Sequence, residues 1–191
     1  MKKILPTAAV ILFTVVITAI SEELPKAWLH AGNRPADYEI SVDRKVSHDG
    51  KASASLKSIA DKTEGFGTLM QTFKADAYRG RRIKMTAFVK SENVSGWAGL
   101  WMRVDGPMLA EAKMPEPLAF DNMEQRPIKG TTDWKAYEIV VDVPERSQEI
   151  AFGILLTGKG QVWLDDVSIM ETVRTDVATV GPYPVNLGFE E

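Results

Sequence analysis

The chain contains no cysteine. That absence removes disulfides, thiolate nucleophiles, cysteine-ligated zinc and lipoprotein acylation together. Histidine is almost as scarce, with His30 and His48 the only two in 191 residues. There is no Gly-x-Ser-x-Gly, no His-Glu-x-x-His and no glycine-rich phosphate loop, so nucleophilic, metal-protease and nucleotide chemistry have no local signature. His48 lies in a turn-forming His-Asp-Gly-Lys run, where a solvated imidazole is the ordinary outcome. Charge of one sign is also lacking. Twenty-three Lys and Arg face 26 Asp and Glu, for a net charge of −3; no polyanion-attracting field results, and nucleic acid is not an expected partner. The one basic cluster, Arg79 to Lys84, reads as a solvated strand end. Glycoside hydrolysis needs only two suitably spaced carboxylates, but nothing singles out a pair, and no enzymatic activity is expected.

What is present is a leader and a β-rich body. Lys2 and Lys3 precede an apolar run from Ile4 to Ile20, and Ala19-Ile20-Ser21 forms a small-x-small site. Residues 1–21 therefore read as a signal peptide cut after Ser21, with an uncleaved anchor as the rival. The expected location is secreted, periplasmic or cell-surface, with membrane association only if the segment is retained. The body, 24–172, is 45% apolar in composition with the rest of the chain, enough for a core without disulfides. The remainder, 173–191, reads as an extended tail.

Apolar residues in the body alternate with period two. Strands are expected at 38–46, 52–58, 66–75, 82–90, 97–104, 134–143, 149–157 and 161–170, separated by turn-forming residues. Met85, Ala87 and Val89 share one face, as do Ile150, Phe152, Ile154 and Leu156. About eight half-buried strands without an amphipathic helix predict an all-β, two-sheet antiparallel sandwich of the jelly-roll kind. Residues 105–133 read as a long connection, with room for a short helix or an edge strand.

Residues 96–106, GWAGLWMRVDG, carry the most information. One face holds Ala98, Leu100, Met102 and Val104, which is core. The other holds Trp97, Trp101, Arg103 and Asp105. Flat apolar indoles beside fixed polar groups suit a sugar, whose C–H faces stack and whose hydroxyls take hydrogen bonds. The connection adds Asp121, Asn122 and Arg126, together with Met123 and Gln125. Two outcomes are open: an exposed ligand face, or an indole packed under the 105–133 connection with Arg103 and Asp121 paired to pin it. Trp28, Trp134 and Trp163 read as structural.

The stretches HDGKASASLKS (48–58), GFGTLMQTFKADAYRGRRIKMTAFVKSENVSGWAGLWMRVDG (65–106), LAFDNMEQRPIKGTTDWKAYEIVVDVP (118–144) and IAFGILLTGKGQVWLDDVSIM (150–170) together resemble galactose-binding-like jelly rolls, in the manner of carbohydrate-binding modules of families 4 and 9. Within that group they are similar to a bacterial subset found as exported proteins and as modules beside other domains, regulatory ones included. The resemblance implies a non-catalytic module for carbohydrate or cell-wall glycan; a protein-interaction or sensory role on the same fold is the alternative. It also implies a structural Ca²⁺ at Asp165, with Glu39, Asp43 and Asp49 as candidate partners. One departure bears on that ion. The family's opening Asn-x-x-Phe-Glu segment, which supplies a ligand, is replaced here by the region around Trp28 to Glu39, and a similar Asn-Leu-Gly-Phe-Glu occurs only at 186–190.

Overall fold

The computed structural model describes residue 24, residues 27–111 and residues 113–173. The expected signal segment, and all of the expected tail but its first residue, lie outside the described residues.

The described residues form nine antiparallel strands: β1 (Leu29–Gly32), β2 (Tyr38–Asp43), β3 (Ser53–Ser58), β4 (Phe66–Lys74), β5 (Arg81–Leu109), β6 (Met114–Asp121), β7 (Ile128–Val143), β8 (Glu149–Thr157) and β9 (Gln161–Glu171). β5 organises the rest. A straight strand of its 29 residues would run about 95 Å, far beyond a domain of this size, so it must bend. Its first part, residues 81–92, pairs with β7 and β9. Residues 97–105 pair with β8, and residues 102–109 with β6. The bend between them falls at register shifts around Ser91, Val94 and Ala98, with Asn93 in the left-handed region at φ 52°. The turn after β8 braces it: the Ser95 N–H donates to the Lys159 carbonyl at 2.8 Å, and the Lys159 N–H donates to Ser95 Oγ at 3.0 Å.

β5 thus serves two layers. One reads β2-β3-β9-β5-β7 and the other β1-β4-β8-β5-β6. Their inner faces meet in one core. Ile83, Met85, Val89, Ile139, Leu56 and Val162 come from the first layer, and Leu69, Leu100, Met102, Val104, Ile150 and Ile154 from the second. This is the expected two-sheet sandwich. The register Leu100↔Ile154↔Leu69 shows why the alternation was legible: residues paired across strands share a face, so each apolar row continues from strand to strand.

Two details differ from the expected strand list. The 82–90 and 97–104 segments are one bent strand, not two. The 105–133 connection is largely sheet, because β5 continues to Leu109, β6 follows, and β7 begins at Ile128. β6 contains Pro115 and Pro117, which lower any strand expectation. They are tolerated here because β6 pairs only with β5, and an edge strand does not need every N–H as a donor. β1 was missed because its four residues are too few to show a period.

Candidate functional site

The outer face of the β1-β4-β8-β5-β6 layer carries a second apolar cluster, separate from the core. Trp101, Ala151 and Leu155 are buried in it, with Phe66, Met70 and Trp97 packed at its margin. Register explains its form. Trp101 on β5 lies opposite Gly153 on β8, which lies opposite Met70 on β4. With no side chain at Gly153, the indole crosses β8 between Ala151 and Leu155 and reaches β4. There its Nε1–H donates to Thr68 Oγ1 at 2.8 Å, and the Thr68 hydroxyl donates to the Ile154 carbonyl at 2.7 Å. Indole and hydroxyl are therefore both satisfied within the protein. Trp101 is 8% exposed, a floor rather than a free stacking platform.

Above this floor runs a groove of about 400 Å³, lined by residues of all five strands, within the range of small-ligand sites. Ala31 and Gly32 close one end; Phe66, Thr68, Met70, Leu155 and Trp101 form its length; Arg103 and Phe120 stand at the β5–β6 end. Arg103 and Phe120 are register partners across β5 and β6. Phe120 is 57% exposed. It lies outside the expected site residues, because the strand that places it carries two prolines and shows no clear alternation in sequence.

Arg103 owes its position to Asp105. Its Nε and Nη2 donate to Asp105 Oδ2 at 3.1 and 2.9 Å. Asp105 itself is 2% exposed, so it anchors the arginine from beneath and does not line the groove. Trp97 sits half-buried at the cluster margin. The expected alternative pairing of Arg103 with Asp121 is not formed.

Asp121, Asn122 and Arg126 are brought together elsewhere. They line a different groove, of about 600 Å³, between β6 and the β7 segment Val140–Asp142. Arg126 Nη2 donates to Asp121 Oδ2 at 2.6 Å, and the Met123 N–H donates to Asp121 Oδ1 at 2.8 Å. Burial alone would raise the Asp121 pKa, but these donors outweigh it and hold the carboxyl below its ordinary range. They fix the turn after β6, which crosses the sheet at Gly99: a Cβ there would lie 2.7 Å from the Asn122 carbonyl oxygen. The connection thus covers the sheet at Gly99 and leaves the Trp101–Arg103 stretch uncovered.

Asp165, the residue of the implied Ca²⁺ site, takes part in the protein's own hydrogen bonds. Its Oδ2 accepts the His48 N–H at 2.8 Å and the Asp49 N–H at 3.4 Å, while Oδ1 accepts the Asp166 N–H at 2.9 Å. Asp43 is engaged likewise, accepting from the Trp163 indole and from the Lys45 and Val46 N–H groups. Burial would raise the Asp43 pKa, yet these donors hold it low. Ca²⁺ needs six to eight oxygens, and among the described residues no three His, Asp or Glu side chains converge on a metal position. Asp165 instead ties the 48–50 turn to β9. His48 seals that turn, stacked on Phe88 at 3.5 Å between ring centroids and bonded through Nδ1 to Asp166 at 2.7 Å. Trp163, buried on its bond to Asp43, and Trp28, edge-on to Phe152 at 5.6 Å, have the structural roles expected of them.

The fold is that of the jelly-roll carbohydrate-binding modules. The chain superposes on the xylan-binding CBM22-1 domain of Paenibacillus barcinonensis Xyn10C with a TM-score of 0.53 at 15% identity, over 78% of this chain and 88% of that domain. It also superposes on the enzymatically active domain of tailspike protein 4 of bacteriophage CBA120, with a TM-score of 0.59 at 13% identity, over 77% of this chain and 20% of that one. In sequence it is 44% identical over 179 residues to an uncharacterized HTH-type transcriptional regulator, YbfP, of Bacillus subtilis (strain 168). That match takes in 89% of this chain and spans 58% of the regulator's length. No family model matches the chain.

Proposed function

We propose that the chain is a non-catalytic binding module that takes a carbohydrate in the groove above Trp101. The observation that carries this is the pairing of an exposed aromatic ring, Phe120, with the guanidinium of Arg103, held by Asp105, over an apolar floor on a sheet's outer face. A pyranose needs an apolar surface for its C–H face and directional donors for its oxygens. The shared fold with a xylan-binding domain supports the reading. The β6–β7 groove is lined by polar groups, among them the Asp121–Arg126 ion pair, and has no aromatic side chain other than Phe120.

Phe120 is the residue on which the binding test should fall, since its exposure separates binding from folding. Phe120→Ala is expected to weaken oligosaccharide binding about tenfold, at the level of one stacking contact, and to leave the melting temperature within about 2 °C. Isothermal titration with xylo-, cello- and galacto-oligosaccharides, alongside thermal unfolding, checks both. Unchanged affinity in the variant would remove the groove from the account.

A second reading is favoured by the 44% identity to a transcriptional regulator. In it the same groove is the sensing half of a regulatory protein, and occupancy is a signal rather than an anchor. A phosphatase that works only outside the cytoplasm, fused after residue 173, separates the two: activity favours the exported module, and its absence favours the sensor.

A further inference from the structure

Resting on the carbohydrate reading, we infer that the groove selects an acidic glycan, one whose sugar carries a carboxylate on the ring it presents. Among the side chains lining the groove, Arg103 is the only charged one. Its counter-ion Asp105 has a side chain 3% exposed, while the arginine side chain remains 41% exposed. Nε and Nη2 face Asp105, and a guanidinium has five N–H donors, so the Nη1 donors are left for a ligand among the described residues. The Thr68 hydroxyl accepts from Trp101 and spends its one donor on Ile154. Asn33 gives its side-chain carbonyl to the Phe66 N–H at 2.7 Å, which leaves its amide NH₂. Each of these two oxygens keeps one lone pair, but the one charged group the groove offers a ligand is the Arg103 guanidinium.

A neutral sugar can bond to the guanidinium only through uncharged oxygens. A carboxylate brings acceptors alone, and its bonds to a guanidinium are the charge-assisted kind. Spacing agrees with this. Arg103 and Phe120 are direct cross-strand partners, with Cβ atoms about 5 Å apart, close to the width of one pyranose. A ring stacked on Phe120 sets a carboxylate at C5 beside Arg103. Asp105, buried beneath, holds the guanidinium in place without offering its own oxygens to the ligand.

The test compares trigalacturonate and trimannuronate with their methyl esters, which keep the skeleton and remove the charge, by titration calorimetry on the full chain. At least one acid is expected to bind about tenfold or more tightly than its ester. That preference should weaken with added salt and be lost in Arg103→Gln. Arg103→Lys, which keeps a cation beside Asp105, should fold and retain part of it. Equal affinity for acid and ester, with xylo- or cello-oligosaccharides bound as well, overturns the inference and leaves the carbohydrate reading standing. Failure of every sugar, acidic or neutral, overturns both.

Discussion

Trp101→Ala is expected to lower the unfolding free energy by about 3 kcal/mol, the low end for emptying a buried tryptophan site. The indole is the centre of the outer-face cluster: it covers Ala151 and Leu155 and closes a chain of hydrogen bonds through Thr68 to the backbone of β8. Its loss opens the cluster to water and leaves Thr68 one donor short. In a domain of this size the melting temperature should fall by roughly 6–12 °C. Trp101→Phe should keep most of the apolar contact and lose about 1 kcal/mol with the N–H. Denaturant titration of both variants measures this. A cost below about 1 kcal/mol for the alanine variant would mean that the outer cluster contributes nothing to the fold. The same burial makes Trp101→Ala a poor test of binding, because lost affinity could follow from a disturbed floor.

Gly153→Ala is expected to be at least as damaging, at about 3 kcal/mol or more. The added methyl would lie 2.1 Å from the Leu69 carbonyl oxygen and 2.9 Å from the Met70 Cα. Both are backbone atoms of the neighbouring strand. β8 is hydrogen-bonded on both sides, to β4 and to β5, so it cannot move away from one without breaking the other, and overpacking cannot relax through side chains. Its unfolding midpoint in urea, set against that of the parent, gives the number. An alanine tolerated within about 0.5 kcal/mol would contradict the close strand approach on which the path of the indole depends.

These two positions also show where sequence reading stops. The alternation in 97–104 separated Ala98, Leu100, Met102 and Val104 from Trp101 and Arg103 correctly, because a period of two is a local property of the chain. Whether Trp101 is open or buried depends on Thr68 and Gly153, which join it only through sheet register. Register is set by the whole sandwich. The two prolines of β6 hid the strand that delivers Phe120, and the turn-like 91–95 run hid the continuity of β5. Asp121 and Arg126 looked like neighbours of Arg103 while 105–133 was read as one connection, and β6 carries them to the other side of the sheet edge. The backbone N–H groups that bond to Asp165 lie more than a hundred residues earlier in the chain, beyond the reach of any local pattern.

The central claim is that ligand lies across Trp101, Arg103 and Phe120. An amide and indole correlation spectrum of the ¹⁵N-labelled chain, titrated with trigalacturonate and with xylohexaose, tests it most directly, since the Trp101 indole N–H is a reporter built into the groove floor. The account predicts shifts at that indole, at the Arg103 side chain and along 118–121, with little change at Arg126 and none at the Trp163 indole. Shifts centred on 124–126 and 140–142, or a spectrum unmoved by both sugars at millimolar concentration, would contradict it.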